Sequence, residues 1–203
     1  KTIKNQNKLS EQLKQKAYKE GFDVVGIASV PGSSRMALRT KALERWLEEG
    51  NQADMNWMKA PRRKNIESLL EGVNSVLAVG LNYYVNKERN PNSLFIARYG
   101  WGKDYHKVIG KRLKRIAKWL EREKPKCKWK ICVDSSALLE KAWAEEAGIG
   151  WIGKHSNVIN PAKGSWLLLG YLLCTEPLTS DIPSKPLCGK CRKCIDICPT
   201  KAI

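Results

Sequence analysis

Four cysteines near the end of the sequence constrain this chain more than any other feature. Cys188, Cys191, Cys194 and Cys198 follow the spacing C-x2-C-x2-C-x3-C, and Pro199 comes directly after the last of them. Bacterial ferredoxins use this run: three thiolates bind one iron–sulfur cluster and the fourth binds another. The alternatives are a zinc knuckle and a disulfide pair, but zinc sites usually use two separated pairs of ligands. The spacing therefore favours an iron–sulfur module.

The same motif leaves both clusters short of ligands. The cluster of the first three cysteines lacks its fourth ligand, and the cluster of Cys198 lacks three. The other cysteines have no spacing that would supply them; they are Cys127, Cys132 and Cys174. We expect the missing ligands beyond Ile203. Because the chain also starts at Lys1 rather than Met, we expect it to be incomplete at both ends.

Length and apolar content narrow the class of protein. With 203 residues, of which 42% are hydrophobic, the chain fits one domain with a small appendage. Its longest apolar run, residues 166–169, is far shorter than the roughly 20 residues of a membrane helix, so we expect no membrane partner. No apolar secretory signal is visible near the start. Seven cysteines, four of them crowded together, suit metal-bound thiolates in a reducing cytoplasm better than a disulfide framework.

Hydrophobic periodicity predicts alternating helices and strands, and hence an α/β domain. The predicted helices are residues 8–20, 36–49, 107–124 and 136–147, and the predicted strands are residues 22–29, 75–81, 129–133 and 165–174. The second strand is apolar throughout, as expected when both faces of a sheet are covered. The prolines after residue 175 predict a linker. We therefore predict an α/β domain over residues 1–175 and the first part of an iron–sulfur domain over residues 176–203.

Basic residues are concentrated between Lys103 and Lys130. This stretch holds twelve Lys or Arg and three acidic residues, a net of +9 within a chain of net charge +17. A solvated helix face is the usual meaning of such a run. Like charges four residues apart repel, however, so a phosphate backbone is the favoured counter-anion. The run therefore favours a nucleic-acid partner.

Two further segments have more than one interpretation. Asp134 follows a predicted strand and precedes a predicted helix, a position that favours either a helix cap or a catalytic carboxyl group. Residues 148–157 (GIGWIGKHSN) contain three glycines that could let the backbone approach a large cofactor, but a plain turn fits equally well. The segment lacks the G-x-G-x-x-G order of a dinucleotide fingerprint.

Taken together, four stretches resemble one family. RYGWGKDYH, VDSSALLEKAWAEEAGIGWIGKHSN, AKGSWLLLGYLL and CGKCRKCIDICPTKAI occur in this order and at similar spacing in epoxyqueuosine reductases. The resemblance extends from FDVVGIA to the end of the chain. It implies a cytoplasmic, monomeric enzyme with cobalamin and two 4Fe–4S clusters, in a fold related to reductive dehalogenases. The rest of a ferredoxin-like domain and a helical-repeat domain would follow.

The resemblance also implies a reaction and its partners. Enzymes of this family reduce the epoxide of epoxyqueuosine at the wobble position of certain tRNAs, the last step of queuosine synthesis. Electrons pass from the clusters to cobalamin, and a carboxylic acid gives a proton to the oxygen that leaves. The implied partners are a tRNA with a queuosine-type wobble base and an external reductant of the flavodoxin or ferredoxin type.

Individual residues match the family's site. Asp134 matches its proposed proton donor, and the resemblance implies that it also contacts the corrinoid. The other implied cobalamin-binding residues are Arg63, Ala97, Tyr105, His106, Lys154, His155, Val158 and Ser165. Cys188, Cys191 and Cys194 match ligands of one cluster, and Cys198 matches a ligand of the other.

Three other functions remain as alternatives. A reductive dehalogenase would share the corrinoid and the clusters, but it would have no use for a charge of +17. A ferredoxin-type electron carrier would not need about 185 residues ahead of its cysteines. A basic RNA-binding protein with a structural metal is the non-enzymatic alternative, and iron and cobalt analysis would distinguish it.

Overall fold

The computed structural model describes residues 2–88 and 90–203. In this part of the chain the α-helices are α1 (Thr2–Lys19), α2 (Ser34–Glu48), α3 (Tyr105–Glu123), α4 (Glu140–Glu146) and α5 (Lys193–Asp196). The strands are β1 (Val24–Ser29), β2 (Ser75–Asn82), β3 (Trp129–Cys132), β4 (Trp151–Ile152), β5 (Val158–Ile159) and β6 (Leu167–Cys174). The predicted α/β class is confirmed.

The main sheet has four strands in the order β1-β2-β6-β3, and every neighbouring pair is antiparallel. β2 and β6 pair along their whole length, from Ser75 opposite Cys174 to Asn82 opposite Leu167. These two strands are the central ones, which explains why their sequences are almost continuously apolar. Periodicity predicts which segments are strands. It does not predict the order in which they pair, because the pairing depends on contacts between segments that are far apart in the sequence.

Helices cover both faces of this sheet. Leu77 and Val79 of β2 pack against α1 and α3, whereas Val76 and Ala78 pack with α2 and α4 on the opposite face. Alternate residues of a strand point to opposite faces, so one apolar strand contributes to both cores. This arrangement confirms the expectation that both faces of the second strand are covered.

α3 packs one apolar face against the sheet. Its buried face consists of Ile109, Leu113, Ile116, Ala117 and Leu120, all 0% exposed. The helix begins two residues before the predicted position, because the Asp104 side chain accepts the backbone N–H of His106 and caps the first turn. Its first turn is therefore held at the edge of the sheet where β3 ends.

α4 is shorter than predicted, and this corrects one interpretation of Asp134. Residues 134–138 form bends rather than helix, with the Leu138 N–H donating to the Ser136 carbonyl oxygen at 2.8 Å. The residue that precedes α4 is Leu139, so Asp134 does not cap it. Local turns satisfy the backbone groups that a longer helix would have used. The helix ends as predicted before Gly148, whose φ is +75°.

α4 lies very close to β1. A Cβ atom on Gly26 would lie 1.9 Å from the carbonyl oxygen of Ala147, a distance that excludes every residue except glycine unless the backbone moves. After α4, residues 151–159 form a hairpin in which β4 pairs with β5. The sequence allowed a turn here, but the two short strands were not predicted.

Residues 175–203 follow the sheet as an extended segment that ends in the cysteine motif. Asp181 attaches this segment to the domain: its carboxylate accepts the Ile27 N–H and the Lys14 ammonium group, both at 2.9 Å. α5 carries Cys194. The predicted domain division at residue 175 stays a prediction. Within residues 2–88 and 90–203, no helix has both the length and the hydropathy required to span a bilayer.

Candidate active site and cysteine segment

Asp134 lies just after β3 and opposite the first turn of α3. Its side chain is 60% exposed and lines a cleft together with Trp57, Arg63 and Ser136. Its φ of +53° lies in the left-handed region, which a residue other than glycine adopts only at a cost in free energy. This bend lets the carboxylate reach α3 while the backbone continues toward α4.

His106 connects two carboxylates. Its Nε2 lies 3.1 Å from Asp134 Oδ2, and its Nδ1 lies 2.9 Å from Asp104 Oδ1. The hydrogen bonds to Asp134 and then to Asp104 raise the pKa of His106, because both stabilise the imidazolium form. In that form both ring nitrogens donate. The geometry can therefore hold a proton next to the Asp134 carboxylate.

Tyr105 stacks on His106, with 4.0 Å between the ring centroids. Burial raises the pKa of its phenol to about 12, so Tyr105 keeps its proton at neutral pH. Two of the residues implied by the resemblance, Tyr105 and His106, therefore lie beside a third, Asp134.

Glu140 is a part of this site that the sequence analysis missed. Its Oε1 accepts the backbone N–H of Asp134 at 2.8 Å. Burial raises the pKa of Glu140 to about 7, so this carboxyl group changes its protonation state close to neutral pH. An acidic residue in the first turn of a helix is common, and nothing in the pattern distinguished Glu140 from an ordinary helix-terminal residue.

Arg63 lies in the wall of the cleft. Its guanidinium stacks on Trp57 at 4.9 Å, and its Nη1 donates to the Leu138 carbonyl oxygen at 3.5 Å. Among the residues that the structure describes, none accepts a hydrogen bond from its buried Nε, and burial lowers its pKa. A buried donor of this kind normally has an acceptor, so Arg63 offers a site for a polar group of a ligand.

Two adjoining clefts share Arg62 and Arg63. One, of about 660 Å³, contains Asp134, and the other, of about 580 Å³, lies between the start of α2 and the residues around Leu138. Their walls combine apolar side chains with a few polar groups, as is usual for the sites of large organic ligands.

The β4–β5 hairpin contacts the cysteine motif directly. The Trp151 indole N–H donates to Cys188 Sγ at 3.3 Å, and the Lys154 ammonium group donates to the carbonyl oxygens of Gly189 and Cys191, both at 2.9 Å. The indole hydrogen bond, with Lys154 close by, lowers the pKa of the Cys188 thiol. The glycine-containing segment thus holds the start of the cysteine motif against the domain.

The cysteines fall into two groups. Cys127, Cys132 and Cys174 are buried in the domain, whereas the four cysteines of the motif are partly or fully exposed and none of the seven forms a disulfide. A hydrogen bond to the Thr200 hydroxyl lowers the pKa of Cys198. Among the residues that the structure describes, no three His, Cys, Asp or Glu side chains are gathered as metal ligands. The assignment of these thiols to clusters therefore rests on their spacing.

The remaining predicted residues lie in other parts of the domain. Ala97 precedes a short helix, Arg98–Gly100, in an exposed segment. His155 accepts the Asn157 N–H at 3.1 Å within the hairpin turn. Val158 is 4% exposed and belongs to the core between the sheet and α4, and Ser165 comes two residues before β6. The structure therefore brings Tyr105, His106 and Asp134 together, whereas Ala97, His155, Val158 and Ser165 lie in other parts of the domain.

The basic run of α3 contains residues with two different roles. Arg112 donates to the Gly21 carbonyl oxygen at 2.8 Å, Arg115 pairs with Glu20 at 2.6 Å, and Lys114 lies 4.2 Å from the Trp129 ring. These three side chains hold α3 to its neighbours. A groove of about 500 Å³ is lined by Lys103, Lys107 and Lys111, next to Asp104 and to the two arginines just described. In the described part of the chain its three lysines make no such contact with a neighbouring element, so they are suited to an anionic partner.

Comparison with known proteins gives one consistent result. The family model described as "Epoxyqueuosine reductase QueG, DUF1730" matches residues 63–135. The epoxyqueuosine reductase of Prochlorococcus marinus (strain NATL2A) is 66% identical over 201 residues, which cover 99% of this chain and 64% of the relative. That of Synechococcus sp. (strain CC9605) is 62% identical over 98% of this chain and 62% of the relative. The chain thus spans somewhat less than two thirds of these relatives.

Solved structures show the same similarity. An epoxyqueuosine reductase crystallised with an epoxyqueuosine-modified tRNA-Tyr stem loop has a TM-score of 0.85 and 28% identity, covering 96% of this chain and 52% of that one. The Bacillus subtilis epoxyqueuosine reductase, with its catalytic aspartate loop swung out of the active site, has a TM-score of 0.82 and 27% identity over 96% of this chain and 52% of that one.

A reductive dehalogenase with a B12-dependent mechanism shares the fold at a lower level. Its TM-score is 0.60 and its identity 13%, over 90% of this chain and 22% of that one. This confirms the predicted relation to reductive dehalogenases at the level of the fold. The resemblance seen in the sequence is likewise confirmed: over nearly its whole length, this chain is similar in sequence and in fold to part of the known epoxyqueuosine reductases.

Proposed function

We propose that the protein to which this chain belongs reduces the epoxide of epoxyqueuosine in tRNA and so completes queuosine. The observation that carries the proposal is the 66% identity to an epoxyqueuosine reductase over nearly the whole chain. The related structure with a tRNA stem loop supports the same substrate class. As this chain spans only part of its relatives, the activity is that of the longer protein.

Cobalamin is the proposed cofactor of the clefts around Arg63. The buried Arg63 Nε without a partner fits a ligand whose rim carries amide oxygens and a phosphate, and the apolar walls fit its ring system. The residues proposed to hold it are Arg63, Ala97, Tyr105, His106, Asp134, Lys154, His155, Val158 and Ser165. Bound cobalamin would supply a strongly nucleophilic low-valent cobalt, reduced by the clusters one electron at a time.

Asp134 is the proposed proton donor to the epoxide oxygen. Opening a carbon–oxygen bond of the epoxide leaves an alkoxide, which a positioned carboxylic acid can protonate. Because Asp134 does not cap a helix, no helix N-terminus opposes that role. His106, 3.1 Å from the carboxylate, can return a proton to Asp134 after transfer, and Asp104 holds the imidazolium ring in place.

The four motif cysteines are proposed as ligands of two 4Fe–4S clusters. Their donor chemistry fits, because thiolates are the usual ligands of such clusters. Cys188, Cys191 and Cys194 would bind one cluster and Cys198 the other. Trp151 and Lys154 connect the motif to the domain that carries Asp134, which supports electron transfer from this side. An external reductant of the flavodoxin or ferredoxin type would supply the electrons.

The groove of Lys103, Lys107 and Lys111 is the proposed contact for tRNA phosphates. It lies next to Asp104 and hence beside the His106–Asp134 pair, so a tRNA bound there would place nucleotides near the cleft. We further propose that the protein acts as a monomer in the cytoplasm, where its tRNA substrate is present. A dehalogenase would have no comparable use for this groove.

Nucleoside analysis tests the proposal. The whole protein would be produced in a bacterium that accumulates epoxyqueuosine, and its tRNA nucleosides would be measured by mass spectrometry. We expect epoxyqueuosine to be replaced by queuosine. Protein purified without oxygen should contain cobalt and about eight irons, as two 4Fe–4S clusters imply. Unchanged epoxyqueuosine together with stoichiometric zinc and no iron would instead indicate an RNA-binding protein with a structural metal.

A further inference from the structure

The backbone at Asp134 needs an external contact to keep its conformation. A φ of +53° in a residue other than glycine persists when the surroundings hold it. Asp134 lies in a loop, residues 133–138, that we call the Asp134 loop. His106 holds the carboxylate of Asp134, but a side-chain contact alone leaves the peptide free to rotate. The backbone contact comes from Glu140.

Glu140 is well placed to act as that contact. Its Oε1 accepts the Asp134 N–H at 2.8 Å, a hydrogen bond that becomes stronger when the carboxyl group loses its proton. Its own backbone carbonyl oxygen accepts the hydroxyl group of Tyr171, a residue of β6 that is 0% exposed. The start of α4 is thereby attached to the centre of the sheet. Glu140 thus joins the Asp134 loop to the buried centre of the sheet.

We propose that Glu140 is a positioning residue that holds the Asp134 loop in the conformation required for proton transfer. Glu140 does not touch the epoxide; it acts through the peptide N–H of Asp134. The inference rests on the proposed function for its effect on catalysis, but the contact itself is a property of this chain alone. The displaced aspartate loop of the Bacillus subtilis relative is consistent with a loop that needs such a contact.

Site-resolved hydrogen exchange at the Asp134 amide tests the contact without any bound cofactor. The experiment uses the whole protein and compares three variants with the wild type. Glu140→Ala removes the acceptor, and Glu140→Gln keeps an acceptor oxygen at the same place. Glu146→Ala is the matched control, because Glu146 lies on the same helix and accepts a different backbone N–H, that of Ser33.

Only Glu140→Ala should release the Asp134 amide. We expect its exchange to be about tenfold or more faster than in the wild type, the scale of a lost charge-assisted hydrogen bond. Glu140→Gln should restore most of the protection, and Glu146→Ala should leave this amide unchanged even if it lowers global stability. Equal exchange in Glu140→Ala and wild type, or equal loss in Glu140→Ala and Glu146→Ala, would overturn the proposal.

Turnover separates this inference from the proposed function. In the loaded enzyme, Glu140→Ala should lower kcat by roughly tenfold while KM for tRNA changes little, because the Asp134 carboxyl group is misplaced rather than removed. Faster exchange with an unchanged kcat would refute the positioning role. If every Asp134 variant kept full activity, the catalytic role of Asp134 would be refuted, but the hydrogen bond between Glu140 and the Asp134 amide would not.

Discussion

Replacing Glu140 by Gln should stabilise the protein at alkaline pH and leave its stability unchanged at acid pH. Burial raises the pKa of the Glu140 carboxyl group from 4.5 to about 7. Between these two values the folded state binds a proton that the unfolded state has released, so the stability of the wild type falls as the pH rises. Glutamine has nearly the same size and an acceptor oxygen, but it does not titrate.

The shift sets the size of the effect. The difference between the folded-state and unfolded-state pKa of Glu140 lowers the free energy of unfolding by about 3 kcal/mol once the pH exceeds the folded-state pKa. Relative to wild type, Glu140→Gln should therefore gain on the order of 2–3 kcal/mol at pH 8 and almost nothing at pH 4. The gain would show that the site keeps a buried carboxylate at a cost in stability, as functional sites often do.

Urea unfolding followed by tryptophan fluorescence and circular dichroism measures this difference. Wild type and variant would be compared at pH 4, 6 and 8 and constant ionic strength, with Glu121→Gln as the control for the loss of one exposed carboxylate. A difference between wild type and Glu140→Gln that stays constant from pH 4 to 8 would refute the argument, since it would mean that Glu140 titrates alike in the folded and unfolded states.

Two further changes test the packing and the tRNA surface. Gly26→Ala forces a Cβ atom against the Ala147 carbonyl oxygen and should lower the free energy of unfolding by about 3 kcal/mol or more. At Gly110 the new Cβ would meet no neighbouring element within 4 Å among the described residues, so Gly110→Ala should raise the free energy of unfolding by up to about 1 kcal/mol. Similar unfolding curves for both variants would contradict the fold. Replacing the groove residues Lys103, Lys107 and Lys111 with Gln should reduce the slope of log affinity for tRNA against log salt by about 2 to 3, and an unchanged slope would place the tRNA elsewhere.

The elements that periodicity predicted best are those with the strongest burial. β2, β6 and α3 are almost completely buried on their apolar positions, so the sequence there has little freedom and the pattern is clear. The antiparallel strand order was not predictable, since it depends on contacts between segments such as Ser75 and Cys174 that are remote in the sequence. The β4–β5 hairpin escaped because each strand has only two residues.

The candidate site shows a similar division. Asp134 and His106 were found because the resemblance extends to the residues around them, and the structure brings them within hydrogen-bond distance. Of the two interpretations of Asp134, the helix cap is wrong, because the bends of residues 135–138 have no periodic signature and α4 begins only after Leu139. Glu140 was missed because its importance arises from burial and from one backbone contact, and neither property is visible in the residue type.

The basic run illustrates why counting charges is not enough. Twelve basic residues predicted a polyanion partner, but three of those on α3 contact neighbouring parts of the domain instead: Arg112, Lys114 and Arg115. Their replacement would disturb the attachment of α3 together with any tRNA contact. The structure therefore moves the test of tRNA binding to the lysines of the groove.

The central claim is that this chain carries the proton donor of an epoxyqueuosine reductase, and single-turnover reduction of epoxyqueuosine tRNA tests it most directly. The whole protein would be loaded with cobalamin and iron–sulfur clusters and reduced before the tRNA is added, so that electron delivery does not limit the rate. Asn tolerates the left-handed conformation of residue 134, so Asp134→Asn keeps the size and backbone of this residue while it removes the acidic proton and the carboxylate that His106 contacts. We expect the wild type to form queuosine. Asp134→Asn should fold and bind cobalamin, but its rate should fall by roughly 10²-fold or more. No queuosine from the loaded wild type, or an equal rate for Asp134→Asn, would contradict the account.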